Sequence, residues 1–410
     1  MTSPPPVKVA HITAVDSSLH YLLLNQMKYL QQSGYEVVGI SAHGPDVRVL
    51  EAAGIRHIPV AISRNITPFA DLQTLLLLYR VMRREQFTIV HTHTPKPGLL
   101  GQLAARMARV PVVINTLHGF YFHEHMPAAQ RHFYITLEKV AAQCSDVILS
   151  QNREDIQTAL REGICKPALI KHLGNGIELA RFDPAHVMPA ARQHLRAELG
   201  IPTDAPVVGF VGRLAARRKG FLDFLAAGQR ILQQVPDVHF VIVGTADRGK
   251  PDAVHPDAAH EYGIAERCHF VGWKPNSELP ALYALMHVLV LPSLFEGVPR
   301  TLIEGATMGV PLVATNVKGN REAIEHGTNG FLVPLGDVPE LAAAIVKILQ
   351  HPQQAAHMGQ EGRRLALSRF DERNVFEMVR SEYARLLHTK GLPVPAAVLD
   401  EPRTHYRLSH

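Results

Sequence analysis

Short runs of β-branched and aliphatic residues alternate with stretches of helical periodicity along most of the chain, and this alternation limits the folds open to it. VKVAHITA (7–14), YEVVGIS (35–41), a short run at 55–61, TIVHT (88–92), VVINTL (112–117) and 146–150 read as strands. Their nearly unbroken apolar content suits strands covered on both faces of a parallel sheet. Between them, 16–33, 70–84, 97–109 and 130–144 carry helical spacing. On 70–84 the pattern predicts Leu72, Leu75, Leu76, Tyr79 and Met82 inward. Strands alternating with helices of roughly 10–15 residues imply right-handed βαβ units and a doubly wound domain.

The pattern then stops and restarts. HLGNGIELARFDP (172–184), rich in Gly, Asn and Pro, reads as a linker, and PVVGFVG (206–212) opens a second series. It continues through helix 221–235, strands 239–244 and 269–272, helix 279–285, strands 287–291 and 311–315, and helix 339–349. The expected fold class is α/β: two doubly wound, Rossmann-like domains at 1–180 and 181–369 with a ligand held between them. A polar insertion at 246–256 is expected to be a mobile loop. The tail 389–410, with three prolines and little periodicity, is expected to be poorly ordered.

Composition narrows the function. Apolar runs such as 75–78 and 288–291 fall far short of the roughly 20 residues that span a bilayer. The first residues show no secretion signal, and three scattered cysteines, Cys144, Cys165 and Cys268, form no C-x-x-C pair. A cytoplasmic protein is expected. Up to Gly174 there are 17 Lys/Arg against 12 Asp/Glu, and beyond it 25 against 25, so the whole +5 excess lies in the first part. It is too small to argue for nucleic acid, but suits weak contact with an anionic membrane face or a phosphorylated acceptor. An ordinary solvated surface fits equally well.

The stretch PSLFEGVPRTLIEGATMGVPLVATNVKG (292–319) is where chemistry is expected. A buried strand precedes it, and Gly297, Val298, Pro299 and Arg300 mark a helix start, whose N–H groups and dipole suit a phosphate. Glu296 projects from the turn, and Glu304 lies two helical turns on. The same spacing would also suit two solvated surface glutamates.

GFVGRLAARRKG (209–220) places Arg213 and Lys219 in the loop after the second domain's first strand, where they could clamp a diphosphate or merely form a basic turn. His118 and Gly119 follow VVINTL at a strand's carboxyl end, where an imidazole could donate to a substrate hydroxyl or carbonyl. His91 and His93 lie two apart in HTHTPKPG, but two ligands make no metal site, and no Asp-x-Asp occurs. No metal and no cofactor are expected. The chain lacks G-x-G-x-x-G, GxxxxGK[ST] and G-x-S-x-G, which sets aside nicotinamide, P-loop and hydrolase chemistry.

Taken together, Glu296 and Glu304 in an E-x7-E arrangement, GRLAARRKG, THTPKPG, NTLHG, GNGIELARFDP and NREAIEHGTNGFLVP (320–334) resemble the retaining glycosyltransferases of family 4, which have the GT-B architecture. The resemblance spans about 7–387 and is nearest to transferases of capsular, O-antigen and lipid-linked glycan synthesis. It implies transfer from a nucleotide-sugar, UDP-linked by preference, to a polyprenyl-diphosphate-linked glycan. Glu304 would hold the ribose, Glu296 the sugar, and Arg213 and Lys219 the diphosphate with backbone N–H groups of 297–300. His118 would touch the sugar near the reacting carbon, and the base would lie against 271–274, including Gly272 and Trp273. The final helix, 370–388, would return to the first domain. One departure is AVDSSLH (14–20) where many members carry a Gly-Gly loop, which leaves phosphate or acceptor contacts there open. Alternatives are a sugar-nucleotide epimerase of the same fold, a GDP-mannose-dependent mannosyltransferase, and a non-catalytic binding protein.

Overall fold

The structure, a computed structural model, describes residues 6–63, 67–124, 126–247 and 249–399. They form two compact units: the described residues through Leu173 with those from Val375 onward, and Gly174–Asn374.

The first unit is built on a seven-stranded sheet. Its strands are β1 (Lys8–Val15), β2 (Glu36–Ala42), β3 (Arg56–Pro59), β4 (Ile89–His93), β5 (Val112–Leu117), β6 (Val147–Ser150) and β7 (Ile170–His172). They lie in the order β3-β2-β1-β4-β5-β6-β7 with every pairing parallel. Because side chains alternate along a strand, Val9, Ile89 and Val112 share one face. They pack on Leu19, Met27 and Leu30, and on Val379, Tyr383 and Leu387 of the helix Glu372–Thr389. Ala10, Ile12, Val38, Val90 and Val113 form the other face, against Leu78, Val81 and Met82 of the helix Pro68–Glu85. Burying each large aliphatic contributes about 1.5–3 kcal/mol.

The helix Pro68–Glu85 corrects one expectation. Its buried stripe is Thr74, Leu78, Val81 and Met82, whereas Leu72 and Leu76 face outward with Phe69 and Leu77. Thr74 can lie inside because its hydroxyl donates to Ala61 O at 2.9 Å. Apolar spacing alone placed Leu75, Tyr79 and Met82 correctly against the core but turned Leu72 and Leu76 inward, since both sides of this helix are apolar.

The second unit repeats the winding. Its strands are β8 (Val207–Val211), β9 (His239–Val243), β10 (Cys268–Gly272), β11 (Val288–Leu291), β12 (Leu312–Thr315) and β13 (Gly330–Val333), ordered β10-β9-β8-β11-β12-β13. Connections fan out in opposite directions from β1/β4 in one sheet and from β8/β11 in the other. Such a reversal leaves a crevice beyond the strands' carboxyl ends.

The first stretch of unit one ends at Leu173, not 180. The Gly-rich segment expected as a linker belongs to the second unit: Ile177 N donates to Phe370 O at 3.0 Å, and Glu372 N to Ile177 O at 3.2 Å. Residues 246–256 are also more tied down than a mobile loop. Ala216 N donates to Asp252 O at 2.7 Å, and the Asp252 carboxylate accepts from Arg217 N and Arg218 N at 2.9 and 3.0 Å. This segment pins the basic turn; Arg248 lies outside the described residues. Of the tail 389–410, residues 400–410 lie outside the described residues, while Leu392, Val394 and Val398 pack on the first unit's core.

Candidate active site

In the second unit the loops after β8 and β11 meet at the switch point. Gly220, at φ 64°, lies so close to the Pro292 carbonyl that any Cβ would collide with it. Leu294 N donates to Arg218 O at 3.2 Å, and the Arg218 guanidinium sits over Phe295 at 5.1 Å. Lys219 is thereby delivered to Glu296, with Nζ donating to Oε1 at 2.5 Å, and Ser293 Oγ donates to the same oxygen at 2.7 Å. Arg213 instead pairs with Asp247, Nη1 to Oδ2, at 2.7 Å. Both cations therefore stand beside a carboxylate.

The helix Arg300–Thr307 begins at Pro299 with no side-chain cap, and Asn175 Nδ2 holds the preceding turn by donating to Val298 O at 2.9 Å. Gly319 lets the backbone pack directly on Gly297. Glu304, on the same helix, is not a surface residue: it is 5 % exposed, and Tyr283 OH donates to its Oε2 at 2.7 Å. Burial pushes its carboxyl up, opposed by Arg300, the hydrogen bond from Tyr283, and Arg181. Gly272, at φ 70°, ends β10, and its carbonyl accepts from Gly244 N at 2.7 Å. Trp273, which follows, is 58 % exposed.

The first unit's switch point holds a different set. His11 on β1 lies in register with His91 on β4, and His93 follows on the same face. All three are at most 2 % exposed, and one ligating atom from each lies within 4.8 Å of the others'. Sequence reasoning saw two of these histidines and missed the third. The signal was parallel register, since His11 follows Val9 as His91 follows Ile89. His11 Nδ1 is 3.0 Å from His93 Nε2, and His93 Nδ1 is 3.2 Å from Nε2 of half-buried His118. Desolvation holds His11 down to about 3 and His91 and His93 well below the ordinary imidazole range.

Glu138, on the helix Ala128–Ala142, was also missed. It lines a small cavity with Thr94, His118 and Gly119, and burial, reinforced by Asp155, pushes it up to about 7. Asp16, in the loop left open above, is a structural anchor: its carboxylate accepts from Ser17 N and Asp46 N at 2.9 and 2.8 Å. His20 Nδ1 lies 2.9 Å from Asp46 Oδ1.

Two parallel sheets that each reverse at a central strand pair, one with a cation-carboxylate cluster beside an uncapped helix start, have the architecture of GT-B glycosyltransferases. The chain belongs to that family: residues 8–152 match the model described as glycosyl transferase 4-like, and 205–351 the one described as glycosyl transferases group 1. It is 29 % identical over 351 residues to the Escherichia coli UDP-Gal:alpha-D-GlcNAc-diphosphoundecaprenol alpha-1,3-galactosyltransferase, covering 83 % of this chain and 88 % of that protein. It is 30 % identical over 379 residues to EpsD of Bacillus subtilis (strain 168), named as a candidate glycosyltransferase, covering 90 % and 95 %. Anabaena HepE, solved with UDP-glucose, shares the fold with a TM-score of 0.78 at 22 % identity, over 92 % of this chain and 99 % of that one.

Proposed function

We propose that this glycosyltransferase moves a sugar, with retention, from a UDP-sugar to a hydroxyl of a polyprenyl-diphosphate-linked glycan in cell-surface polysaccharide synthesis. The observation that carries the reading is the second unit's switch point, where Lys219, Glu296 and the start of Arg300–Thr307 converge. The Escherichia coli relative, whose name specifies a UDP-sugar and a diphosphoundecaprenol-linked acceptor, supports both substrate classes.

In this reading Arg213 and Lys219, with N–H groups of 297–300, hold the diphosphate, so no divalent ion is needed. Buried Glu304 takes the ribose hydroxyls, Glu296 the sugar, Gly272 and Trp273 flank the base, and His118 touches the sugar. A leaving phosphate oxygen accepts the acceptor hydroxyl's proton on the face from which it departs. The cations and helix start stabilise the charge developing on it.

The test is a thermal-shift panel of UDP-, GDP-, ADP- and dTDP-sugars, since a bound ligand stabilises the fold by mass action. A UDP-sugar is expected to raise the Tm most, in EDTA as without it; preference for GDP-mannose would favour the mannosyltransferase. Product analysis without acceptor separates transfer from epimerisation, since only an epimerase changes the donor alone.

No helix among the described residues is long and apolar enough to cross a membrane. Peripheral contact with the inner face is supported by the helix Pro68–Glu85, where Phe69 and Leu72 are 90 % and 55 % exposed and Arg83 and Arg84 lie in the last turn.

A further inference from the structure

The buried histidines of the first unit form a continuous polar path that ends at His118. It runs from His118 Nε2 to His93 Nδ1 at 3.2 Å, and from His93 Nε2 to His11 Nδ1 at 3.0 Å. From His11 Nε2 it reaches the Tyr383 hydroxyl at 3.5 Å, then His91 Nδ1 at 2.7 Å. It finishes between His91 Nε2 and Thr116 Oγ1 at 2.7 Å.

A neutral imidazole carries one N–H and one lone pair, and a hydroxyl has a single proton. Each imidazole that accepts on one side must therefore donate on the other, whereas the Tyr383 oxygen can accept on both. Three arrangements satisfy every contact: donation running from His118 toward Thr116, the complete reverse, or donation from both ends toward the Tyr383 oxygen, and His118 donates from Nε2 in all but the reverse.

The distances choose between them. The Tyr383 proton sits on the 2.7 Å contact to His91 Nδ1, an ordinary hydrogen-bond length, and not on the 3.5 Å contact to His11, at the limit of one. His91 Nε2–H then donates to Thr116 Oγ1. His11 must turn an N–H toward the Tyr383 oxygen, because otherwise two lone pairs would face each other. Its Nδ1 accordingly accepts from His93 Nε2–H, and His93 Nδ1 accepts from His118 Nε2–H.

We propose that His93, His11, Tyr383 and His91 are positioning residues that fix His118 as its Nε2–H tautomer, so that Nδ1 accepts a hydrogen bond from a hydroxyl of the donor sugar. The sugar contact rests on the reading of His118 given above, whereas the tautomer rests on the path alone. Complete burial supports the one-way order by keeping His11, His91 and His93 neutral, since a protonated ring would donate from both nitrogens. Metal binding is the competing use of His11, His91 and His93. It would require His91 to give up Tyr383 or Thr116, and His11 and His93 to abandon their mutual contact.

The experiment is two-bond 1H–15N correlation of the full chain labelled with 15N-histidine, with a His118→Gln sample identifying the His118 signals. At pH 7.5 His118 is expected to show a protonated Nε2 and an unprotonated Nδ1. Tyr383→Phe keeps the packed ring but removes the oxygen that orders the path, and His93→Gln cuts it next to His118. Both variants should give mixed His118 tautomers with an unchanged circular dichroism spectrum. With UDP-glucose as probe, kcat should fall roughly five- to tenfold in Tyr383→Phe, about the equilibrium worth of one hydrogen bond, with KM moving less.

A protonated Nδ1 in the unsubstituted protein, the same His118 tautomer in both variants, or a stoichiometric metal ion lost on His11→Ala would each overturn the path. Altered tautomers with unaltered UDP-glucose turnover would uphold the path and refute the sugar contact alone.

Discussion

The two units wind their strands in the same order but fill the centre of the sheet with opposite chemistry. At the β1/β4 seam His11 stands opposite His91, whereas at the β8/β11 seam Val208 and Gly209 stand opposite Val288 and Leu289. The second unit keeps a dry seam and carries its charges in the loops beyond it, where Lys219 meets Glu296. The first unit takes polar rings into its core, and each then needs a partner, because an unsatisfied buried polar group costs about 1–3 kcal/mol. One topology thus supports two designs: charges held at strand ends, suited to an anionic ligand, and a neutral buried network, suited to orienting a side chain.

The largest effect expected from breaking this contrast is on the charged side. Lys219→Ala should lower turnover on the order of 10² to 10³, as loss of a donor to a developing oxyanion does, while the thermal midpoint moves little. Steady-state kinetics with the donor chosen by the thermal-shift panel would show it. Undiminished turnover would remove the anion site from this loop.

The next prediction concerns acid. His11 is held near 3, so the folded protein refuses a proton that the unfolded chain takes up below about 6.5. Stability is therefore full above 6.5 and falls as pH drops toward 3, by up to about 1.4 kcal/mol per pH unit for each such histidine. His269 and His287 of the second unit are held near 4, but neither is fully buried. Hydrogen exchange between pH 7 and 4.5 should show β4 losing protection before β11; the reverse order would break the comparison.

Glu138 should show the opposite sign. Its carboxyl is raised to about 7, so the folded form keeps a proton that the unfolded chain releases above about 4.5. Its contribution falls as pH rises from 4.5 to about 7 and is level beyond. Glu138→Gln should flatten that decline and raise Tm by roughly 2–4 °C at pH 8, the shift that follows from about 1 kcal/mol. An unchanged pH profile of Tm would show that Glu138 is ordinarily solvated.

The smallest effect is expected at the surface. Phe69→Ser with Leu72→Ser should weaken sedimentation with anionic vesicles about tenfold or less and leave turnover of a soluble acceptor analogue unchanged. Undiminished sedimentation would discount the helix Pro68–Glu85 as the contact.

Much of the α/β architecture could be read from the chain because fully buried parallel strands leave unbroken apolar runs, as in HVLVL before the Glu296 turn. Short or weakly apolar elements escaped, among them β7, only three residues long with Lys171 at its centre, and the helix Pro352–Arg369. The E-x7-E spacing marked a stretch but left the exposure of its glutamates open. Tyr283, two elements away, is what makes Glu304 a buried carboxylate with a partner.

Sequence by itself determined the alternation, the restart after the Gly-rich segment, the membership suggested by its motifs, and the residues gathered around 292–319. These are local: periodicity, turn chemistry and spacing are written into neighbouring positions. Tertiary structure alone decided that Lys219 faces Glu296, that the Gly-rich segment belongs to the second unit, and that His11 joins His91, His93 and Tyr383. Those contacts join residues as many as 372 positions apart, as Tyr383 and His11 are. They depend on strand order and register, which bring distant side chains together and which no stretch of sequence specifies alone.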